Sequence, residues 1–511
     1  MVFTTAGGGA TQETGYEIDN SLRTGGGDNH HLSMVYSSSA SNRKTWTFSG
    51  WIKLGQAAHF SQNYPNEKYL LTATDAAVST THIGYGGYTS GNAGSFFLGD
   101  GRSGTYIETT SKFRDPSAWY HLVVRYDSTQ GTASNRIFIY VNGVAQTLNY
   151  SNTGDPEVDL NTEVDFFLAG DNVDATSADS GNFVHNINSY YNSGYDAINN
   201  SFDGHFADWY LINAQSLAPT EFAETNDNGV WVPKEYTGTF NSHSFHLEFK
   251  QTGSSANSSG IGADTSGQDN HFKVGINSTL SAVDITTDTP TNNFATLNPL
   301  NSSASVALSE GNTKHTNSGA NDQASAATMG FTKGKWYWEV KCVDKAEVGI
   351  NLNSDILQLS NDSTVASNDA NIKATSLITN SAGGINDLRH NGSNESITSV
   401  SVADGDIISV AVDADNGKIW FAKNGTYFNS GNPATGSNEA KDFSGAYTSG
   451  NFIIPVGLVA TADGDIFEIN FGNPPFSISS GNSDANGYGN FEYAVPSGYY
   501  ALCTKNLATY G

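Results

Sequence analysis

The sequence has little proline, hardly any cysteine and few basic residues. Of its 511 residues, 12 are proline, 2 are cysteine and 24 are lysine or arginine, while 51 are acidic. The net charge of −27 and the lack of any basic stretch argue against binding to a nucleic-acid backbone, so we expect no nucleic-acid partner. Two cysteines cannot supply a disulfide framework. We expect Cys342 and Cys503 to be buried thiols, and whether they pair stays open.

Long apolar segments are also absent. No run of 18 apolar residues occurs in the sequence, so we predict no insertion into a membrane. The first residues include a triplet of glycines and lack the basic and apolar segments of a secretory signal. We predict that residues 1–15 form a flexible N-terminal arm, with ordering on a neighbouring subunit as the alternative.

Aromatic and turn-forming residues are abundant instead. Aromatic residues reach 12% of the chain and glycine numbers 54. Residues 45–53 (TWTFSGWIK) show the pattern that recurs, because Trp46, Phe48 and Ile52 alternate with polar residues as in a half-buried strand. Gly50 and Trp51 interrupt the alternation, which predicts a bulge or a close approach of another backbone. We therefore predict an all-β protein built from sheets that pack face to face.

Four segments in the first half resemble laminin G-like, concanavalin A-like jelly rolls. They are residues 45–53, residues 118–124 (AWYHLVV), residues 139–144 (IYVNGV) and residues 202–222, and their order matches that of the family. Asn142-Gly143 within the third segment is also a signal for a two-residue type I′ hairpin. The resemblance covers residues 16–250 and implies a β-sandwich. It says little about a ligand, because this fold serves lectins, adhesins, enzymes and scaffolds.

The second half is similar to SPRY domains. The residues that carry the similarity are 334–340 (GKWYWEV), 412–425 (VDADNGKIWFAKNG) and 467–472 (FEINFG). The resemblance implies a bent β-sandwich that binds proteins through loops at one end. The predicted organisation is an arm over residues 1–15, a laminin G-like jelly roll over 16–275, a linker over 276–299 and a SPRY-like sandwich over 300–511.

Few residues of the sequence suggest a catalytic or metal-binding role. Glycosidases with a concanavalin A-like fold need two facing carboxylates, and the nearest pattern, Glu17-Ile18-Asp19, has no second glutamate in phase. The segment 413–417 (DADNG) resembles the start of a calcium loop but lacks its distant glutamate, so a turn is favoured and bound calcium stays open. His30-His31 has no partners at metal-site spacing. We predict no catalytic residue, no metal site and no cofactor.

Aromatic residues in polar loops are the better candidates for ligand binding. Five tyrosines lie among glycine, serine and asparagine residues: Tyr85, Tyr88, Tyr190, Tyr191 and Tyr195. Sugar binding, a protein interface and simple coverage of the sandwich ends are three alternatives for them.

The order of the two domains is similar to that of virion proteins from marine tailed phages, including cyanophages. This resemblance implies a non-enzymatic structural protein, made in the host cytoplasm and located in the tail or on the capsid surface. It would attach to other virion proteins, form a homo-oligomer, with a trimer as one option, and recognise a host-surface polysaccharide. The alternatives are a free carbohydrate-binding or adhesin protein and, third, a glycan hydrolase.

Overall fold

The computed structural model describes most of the chain. The described residues are 15–25, 29–55, 67–74, 80–86, 93–100, 105–151, 158–170, 183–192, 197–319, 323–344, 346–352, 374–380, 384–391, 393–398, 401–445, 452–459 and 464–511. By its internal contacts the chain divides into two units, with the boundary between Thr291 and Asn292. We describe each unit by itself.

The described part of the first unit contains twenty strands and no α-helix. The strands are β1 (Ser21–Thr24), β2 (Leu32–Met34), β3 (Thr45–Leu54), β4 (Lys68–Thr74), β5 (Thr80–Tyr85), β6 (Phe96–Asp100), β7 (Thr105–Thr109), β8 (Trp119–Asp127), β9 (Ile137–Val141), β10 (Val144–Ala145), β11 (Leu148–Ser151), β12 (Val184–Ile187), β13 (Tyr190–Asn192), β14 (Ala197–Asn199), β15 (Gly204–Asn213), β16 (Ala223–Thr225), β17 (Trp231–Pro233), β18 (Phe245–Leu247), β19 (Lys273–Val274) and β20 (Ile285–Thr286).

Two antiparallel sheets form the sandwich of this unit. Sheet 1 has the order β10-β9-β8-β3-β15-β1-β20, with β18 also paired to β15, and sheet 2 has the order β11-β7-β6-β5-β4-β12-β2-β19. Their inner faces share one buried apolar cluster that includes Trp46 and Phe48 from sheet 1 and Ile83 and Phe96 from sheet 2. Strand β20 lies within the segment predicted as a linker, and it pairs with β1 at the edge of sheet 1.

The alternation in β3 places Trp46, Phe48 and Ile52 in the core, as predicted. The strand is not half-buried, however, because Thr47, Ser49 and Lys53 on its other face are buried too. The interruption at Gly50 is neither a bulge of β3 nor the predicted approach of another backbone. It is the approach of a side chain, because a Cβ at Gly50 would lie 2.5 Å from Cδ1 of Trp209. The irregularity is on the neighbouring strand β15, where the register with β3 shifts between Ala207 and Tyr210.

The hairpin between β9 and β10 forms as predicted. Asn142 has a φ of 50° and Gly143 a φ of 76°, which are the two positive values that a type I′ turn requires. The turn fixes Val144 opposite Val141 and Ala145 opposite Tyr140, so β10 is the outermost strand of sheet 1.

The described part of the second unit contains sixteen strands and one short α-helix. They are β21 (Leu297–Ser302), β22 (Val306–Ser309), β23 (Lys314–Asn317), β24 (Gln323–Ala327), β25 (Lys335–Cys342), β26 (Ala346–Asn351), β27 (Ala374–Asn380), β28 (Gly384–His390), β29 (Ser393–Glu395), β30 (Ile407–Asp413), β31 (Lys418–Lys423), β32 (Thr426–Tyr427), β33 (Lys441–Asp442), β34 (Ile454–Val459), β35 (Ile466–Asn470), β36 (Tyr500–Ala501) and α1 (Thr504–Tyr510).

These strands form a second sandwich. One sheet has the order β21-β24-β34-β26-β27-β28-β29, and the other has the order β22-β23-β35-β25-β30-β31-β32, with β33 paired to β31 and β36 to β25. The core between them includes Trp336 and Trp338 of β25. The predicted fold class, all-β with two β-sandwiches in tandem, is confirmed. Among the described residues, no helix has the length and apolar character needed to cross a membrane.

Candidate functional site

The structure places the five candidate tyrosines in different settings. Tyr85 corrects the sequence prediction, because it lies in β5 rather than in a loop and is fully buried. Its hydroxyl donates to the carbonyl oxygen of Phe113 at 2.5 Å, and its ring packs against Phe96, so it belongs to the core. Tyr190 and Tyr191 lie in β13, which pairs with β14. Tyr88 and Tyr195 lie outside the described residues, and a ligand-binding role for these four stays a prediction.

A different set of aromatic residues lies on the outer face of sheet 1, near the edge formed by β9 and β10. Along β9 the residues Ile137, Ile139 and Val141 enter the core, so the alternate residues Phe138 and Tyr140 face outward and are half-buried. Their rings are stacked, with centroids 5.9 Å apart and an angle of 26° between the ring planes. The two rings therefore present nearly parallel faces on one surface.

Arg125 completes this stack. It lies on β8 directly opposite Phe138, and its guanidinium carbon is 5.4 Å from the centre of the Phe138 ring. Its Nε donates a hydrogen bond of 2.7 Å to Oγ of Ser216, which fixes the plane of the guanidinium group. A guanidinium held in this way offers its remaining N–H groups in a fixed fork.

Trp231 extends the same face past the hairpin. A Cβ at Gly143 would lie 2.8 Å from the Trp231 ring, so the indole packs directly against the turn. Val230, next to Trp231 in the chain, is exposed by 54%. Val144 is also exposed, but it pairs with the core residue Val141 and so lies on the other face of sheet 1. We call the five residues Arg125, Phe138, Tyr140, Val230 and Trp231 the aromatic strip.

His121 lies beneath Trp231 and is held in its neutral form. The indole N–H of Trp231 donates to Nδ1 of His121 at 3.1 Å, so the ring proton is on Nε2, which lies 2.8 Å from Oγ of Ser49. Burial lowers the pKa of His121 to about 3. Since Nε2 carries the proton, it cannot accept one from Ser49, and this pair does not form an activated nucleophile.

Buried carboxylates of the second unit serve the fold. Glu339 accepts hydrogen bonds from the hydroxyl of Tyr337 at 2.9 Å and from the backbone N–H groups of Glu492 and Tyr493 at 2.9 and 2.8 Å. Asp484 accepts from the backbone N–H of Ala501 and from the side chain of Asn506. Glu339 therefore ties residues 492 and 493 to β25, and Asp484 joins parts of the C-terminal segment to one another.

The structure also describes the residues that the sequence analysis weighed as a pair of catalytic carboxylates and as metal ligands. Glu17 and Asp19 are exposed on either side of the buried Ile18. His30 and His31 are buried, and burial lowers the pKa of His31 to about 4.

The segment 413–417 is the turn between β30 and β31, as predicted, and Asp413 accepts from Asn416 within it. Cys342 and Cys503 are separate buried thiols, and burial raises the pKa of each to about 12.

The sequence prediction missed the aromatic strip. The segment 137–141 (IFIYV) is apolar at every position, which is the pattern of a strand buried on both faces. A usable signal was the Asn142-Gly143 turn, because a strand that enters a short hairpin can lie at a sheet edge, where its second face is open.

Comparisons with known proteins gave structural similarities alone. No family model matches the chain, and no curated protein sequence matches it. The SPRY domain of human HERC1 is 18% identical, with a TM-score of 0.26, over 34% of this chain and 96% of that chain. A heptameric SAP-like pentraxin from Limulus polyphemus is 16% identical, with a TM-score of 0.25, over 40% of this chain and 80% of that chain. At this identity a likeness concerns only the fold.

Proposed function

We propose that the protein is a non-enzymatic structural component of a phage particle and that its first sandwich binds a host-surface glycan through the aromatic strip. The observation that carries the binding role is the stacked, half-buried pair Phe138 and Tyr140 with Arg125 over the Phe138 ring. The strip also includes the exposed side chain of Val230.

The chemistry of the strip favours a glycan as its occupant. A sugar ring has an apolar face and a rim of hydroxyl groups. Two nearly parallel aromatic faces supply a surface for the apolar side of such rings. The guanidinium of Arg125, fixed by Ser216, supplies directional donors for hydroxyl or carboxylate oxygens at the rim.

The proposal of a binding protein rather than an enzyme rests on how the reactive side chains are used. His121 is neutral and bonded on both ring nitrogens, and Glu339 accepts from a hydroxyl and two backbone N–H groups. The hydrogen bonds of His121 and Glu339 therefore hold strands and loops in place. A glycan hydrolase would instead need two carboxylates facing the substrate.

The location in a virion and the assembly remain part of the proposal. They are supported by the sequence resemblance to marine tailed-phage proteins and by the two-domain order. Oligomerisation would bring several weak sites to one surface and raise the overall avidity. A free carbohydrate-binding protein is the second candidate, and the aromatic strip fits it equally well.

A binding experiment tests the glycan role. The purified full chain is applied to an array of immobilised neutral and carboxylated bacterial oligosaccharides, beside the double variant Phe138→Ser/Tyr140→Ser. We expect the double variant to lose at least tenfold in affinity, which corresponds to about 1.4 kcal/mol. The matched control is Leu160→Ser, because Leu160 is 53% exposed and lies outside the strip. Binding that survives in the double variant would contradict the role of the strip.

Electron microscopy of intact phage particles, with an antibody against this chain, tests the location separately. Labelling of the tail or capsid supports a virion protein. A chain that binds glycans and is absent from particles would favour the second candidate.

A further inference from the structure

Lys53 is an unusual lysine. It lies on the outer face of sheet 1, between Trp119 on β8 and His205 on β15, its direct neighbours in the strand register. Its side chain is 1% exposed, and among the lysines that the structure describes it is the one that is buried. A buried lysine requires a close partner, because an isolated ammonium group is costly to remove from water.

The partner of Lys53 is Asp288, which follows strand β20 in the chain. Nζ of Lys53 is 2.7 Å from Oδ2 of Asp288, and the Asp288 side chain is fully buried. The other oxygen, Oδ1, accepts a hydrogen bond from Nε1 of Trp119 at 3.3 Å. The backbone carbonyl of Asp288 accepts from Oγ of Ser21 at 2.6 Å, which fixes the segment over the sheet.

Burial acts against the charged form of Lys53. Burial lowers the pKa of Lys53, while the nearby Asp288 and Asp115 act in the opposite direction. Because both side chains are buried, a proton can pass from the ammonium group to the carboxylate, which leaves an amine beside a carboxylic acid. An amine nitrogen in contact with a carboxyl group, held by packing on both sides, is in position to attack it.

We propose that the side chains of Lys53 and Asp288 condense after folding and form an intramolecular amide bond between Nζ of Lys53 and Cγ of Asp288. One proton moves from the Lys53 ammonium to Oδ2. The amine then attacks Cγ, and the Trp119 N–H stabilises the charge that develops on Oδ1. A second proton passes from nitrogen to Oδ2, which leaves as water. The ammonium and carboxylate thus become one amide and one water molecule, with no oxidant or further reactant.

Such a link would join the middle of sheet 1 to the last segment of the first unit. The pair is separated by 235 positions in the sequence, so the bond would close most of the unit into one covalent loop. A long closed loop restricts the unfolded chain strongly. Both cysteines of the protein are free thiols, so neither provides a covalent link of this kind.

The mass of the intact chain under denaturing conditions tests the proposal. We expect the protein to weigh one water molecule less than its sequence, and a tryptic digest to contain a branched peptide in which uncleaved Lys53 is linked to Asp288. Lys53→Arg keeps the positive charge and should restore the full mass. Asp288→Asn should reach the same linked product by loss of ammonia in place of water.

Three outcomes would overturn the proposal. One is the full sequence mass for the natural chain, which would mean that the pair is an ion pair alone. Another is loss of water on an unlinked peptide, as in a succinimide. The third is a Lys53→Arg variant that keeps the mass loss. If that variant does not fold, the branched peptide of the natural chain decides by itself.

Discussion

The indole ring of Trp209 lies against the Cα atom of Gly50, so closely that a Cβ at Gly50 would be 2.5 Å from Cδ1 of the indole. Trp209 is fully buried, and its Nε1 donates to the carbonyl oxygen of Trp51 at 3.2 Å. The ring also contacts Phe48 and Phe206. The two central strands of sheet 1, β3 and β15, therefore depend on the missing side chain of Gly50.

Gly50→Ala should destabilise the first unit, because the contacts of the Trp209 ring with Phe48 and Phe206 and its hydrogen bond to Trp51 oppose a shift away from a new methyl group. We expect a loss of about 1–3 kcal/mol in the free energy of unfolding. Chemical denaturation followed by tryptophan fluorescence measures it. Gly131→Ala is the matched control, since a Cβ there meets nothing within 4 Å. Equal stability of the two variants would contradict this account.

Most of the fold could be predicted from the sequence, because it follows from local patterns. Alternation predicted β3, and Asn142-Gly143 predicted the hairpin. Tyr85 was assigned to a loop because Gly84 and Gly86 flank it, and glycines on both sides are typical of loops. In the structure Tyr85 is the last residue of the core strand β5. The aromatic strip and the contact between Lys53 and Asp288 could not be predicted, because both depend on which strands become neighbours and where sheet 1 ends.

The stability of both units should fall as the pH drops below neutrality. Burial lowers the pKa of His185 to about 4 and that of His315 to about 3, and the pKa values of His31 and His121 are similarly lowered. A histidine in the unfolded chain has a pKa of ~6.5, so at mildly acidic pH it binds a proton that the buried histidine of the folded state does not bind. The stabilising effect is therefore complete above pH ~6.5 and is lost as the pH falls toward the folded values.

Between pH 7 and pH 5.5 we expect each such histidine to cost about 1 kcal/mol of unfolding free energy. Denaturant titrations at the two pH values measure the total change. His121→Gln should reduce this change in unfolding free energy by the contribution of one histidine, about 1 kcal/mol. Burial raises the pKa of Glu67 and Glu339, which acts in the opposite direction at lower pH. Stability that stays constant over this range would refute the prediction.

If the aromatic strip binds a glycan as proposed, Arg125→Lys should weaken that binding without changing the fold. Lysine keeps the charge but loses the planar fork that lies over Phe138 and the Nε that donates to Ser216. We expect a 3- to 10-fold lower affinity, or roughly 1 kcal/mol, and an unchanged unfolding midpoint. Lys234→Arg serves as control, because Lys234 is outside the strip and contacts the carbonyl of Thr220. An Arg125→Lys variant that binds as well as the natural chain would limit recognition to the aromatic rings.

Both cysteines should resist alkylation in the folded protein. Each thiol is buried, and burial raises its pKa to about 12, so almost no reactive thiolate is present at neutral pH. We expect iodoacetamide to label Cys342 and Cys503 only after unfolding, as followed by peptide mass spectrometry. Cys503 lies at the start of α1, so partial opening of the C-terminal segment would be detected as earlier labelling of Cys503. Rapid labelling of either thiol in the native protein would be inconsistent with this burial.

Glu339→Gln should destabilise the second unit more than the loss of one surface charge would. The carboxylate accepts from Tyr337 and from the backbone N–H groups of Glu492 and Tyr493. Glutamine has the same shape, yet its amide nitrogen is a donor and would face N–H or O–H groups that need an acceptor. A buried donor left without an acceptor costs about 1–3 kcal/mol, and more where a charged partner is lost.

We expect Glu339→Gln to lose about 2–4 kcal/mol in denaturant titrations and to speed hydrogen exchange of the Glu492 and Tyr493 amides. Glu468→Gln is the control on a neighbouring strand, because Glu468 pairs with the partly exposed Lys341 at 3.1 Å. An exposed pair of this kind contributes less than about 1 kcal/mol. Faster exchange confined to residues 492 and 493 would mean that the Glu339 carboxylate holds this segment against β25. Faster exchange across the whole unit would contradict that local role and would mean that Glu339 stabilises the sandwich core.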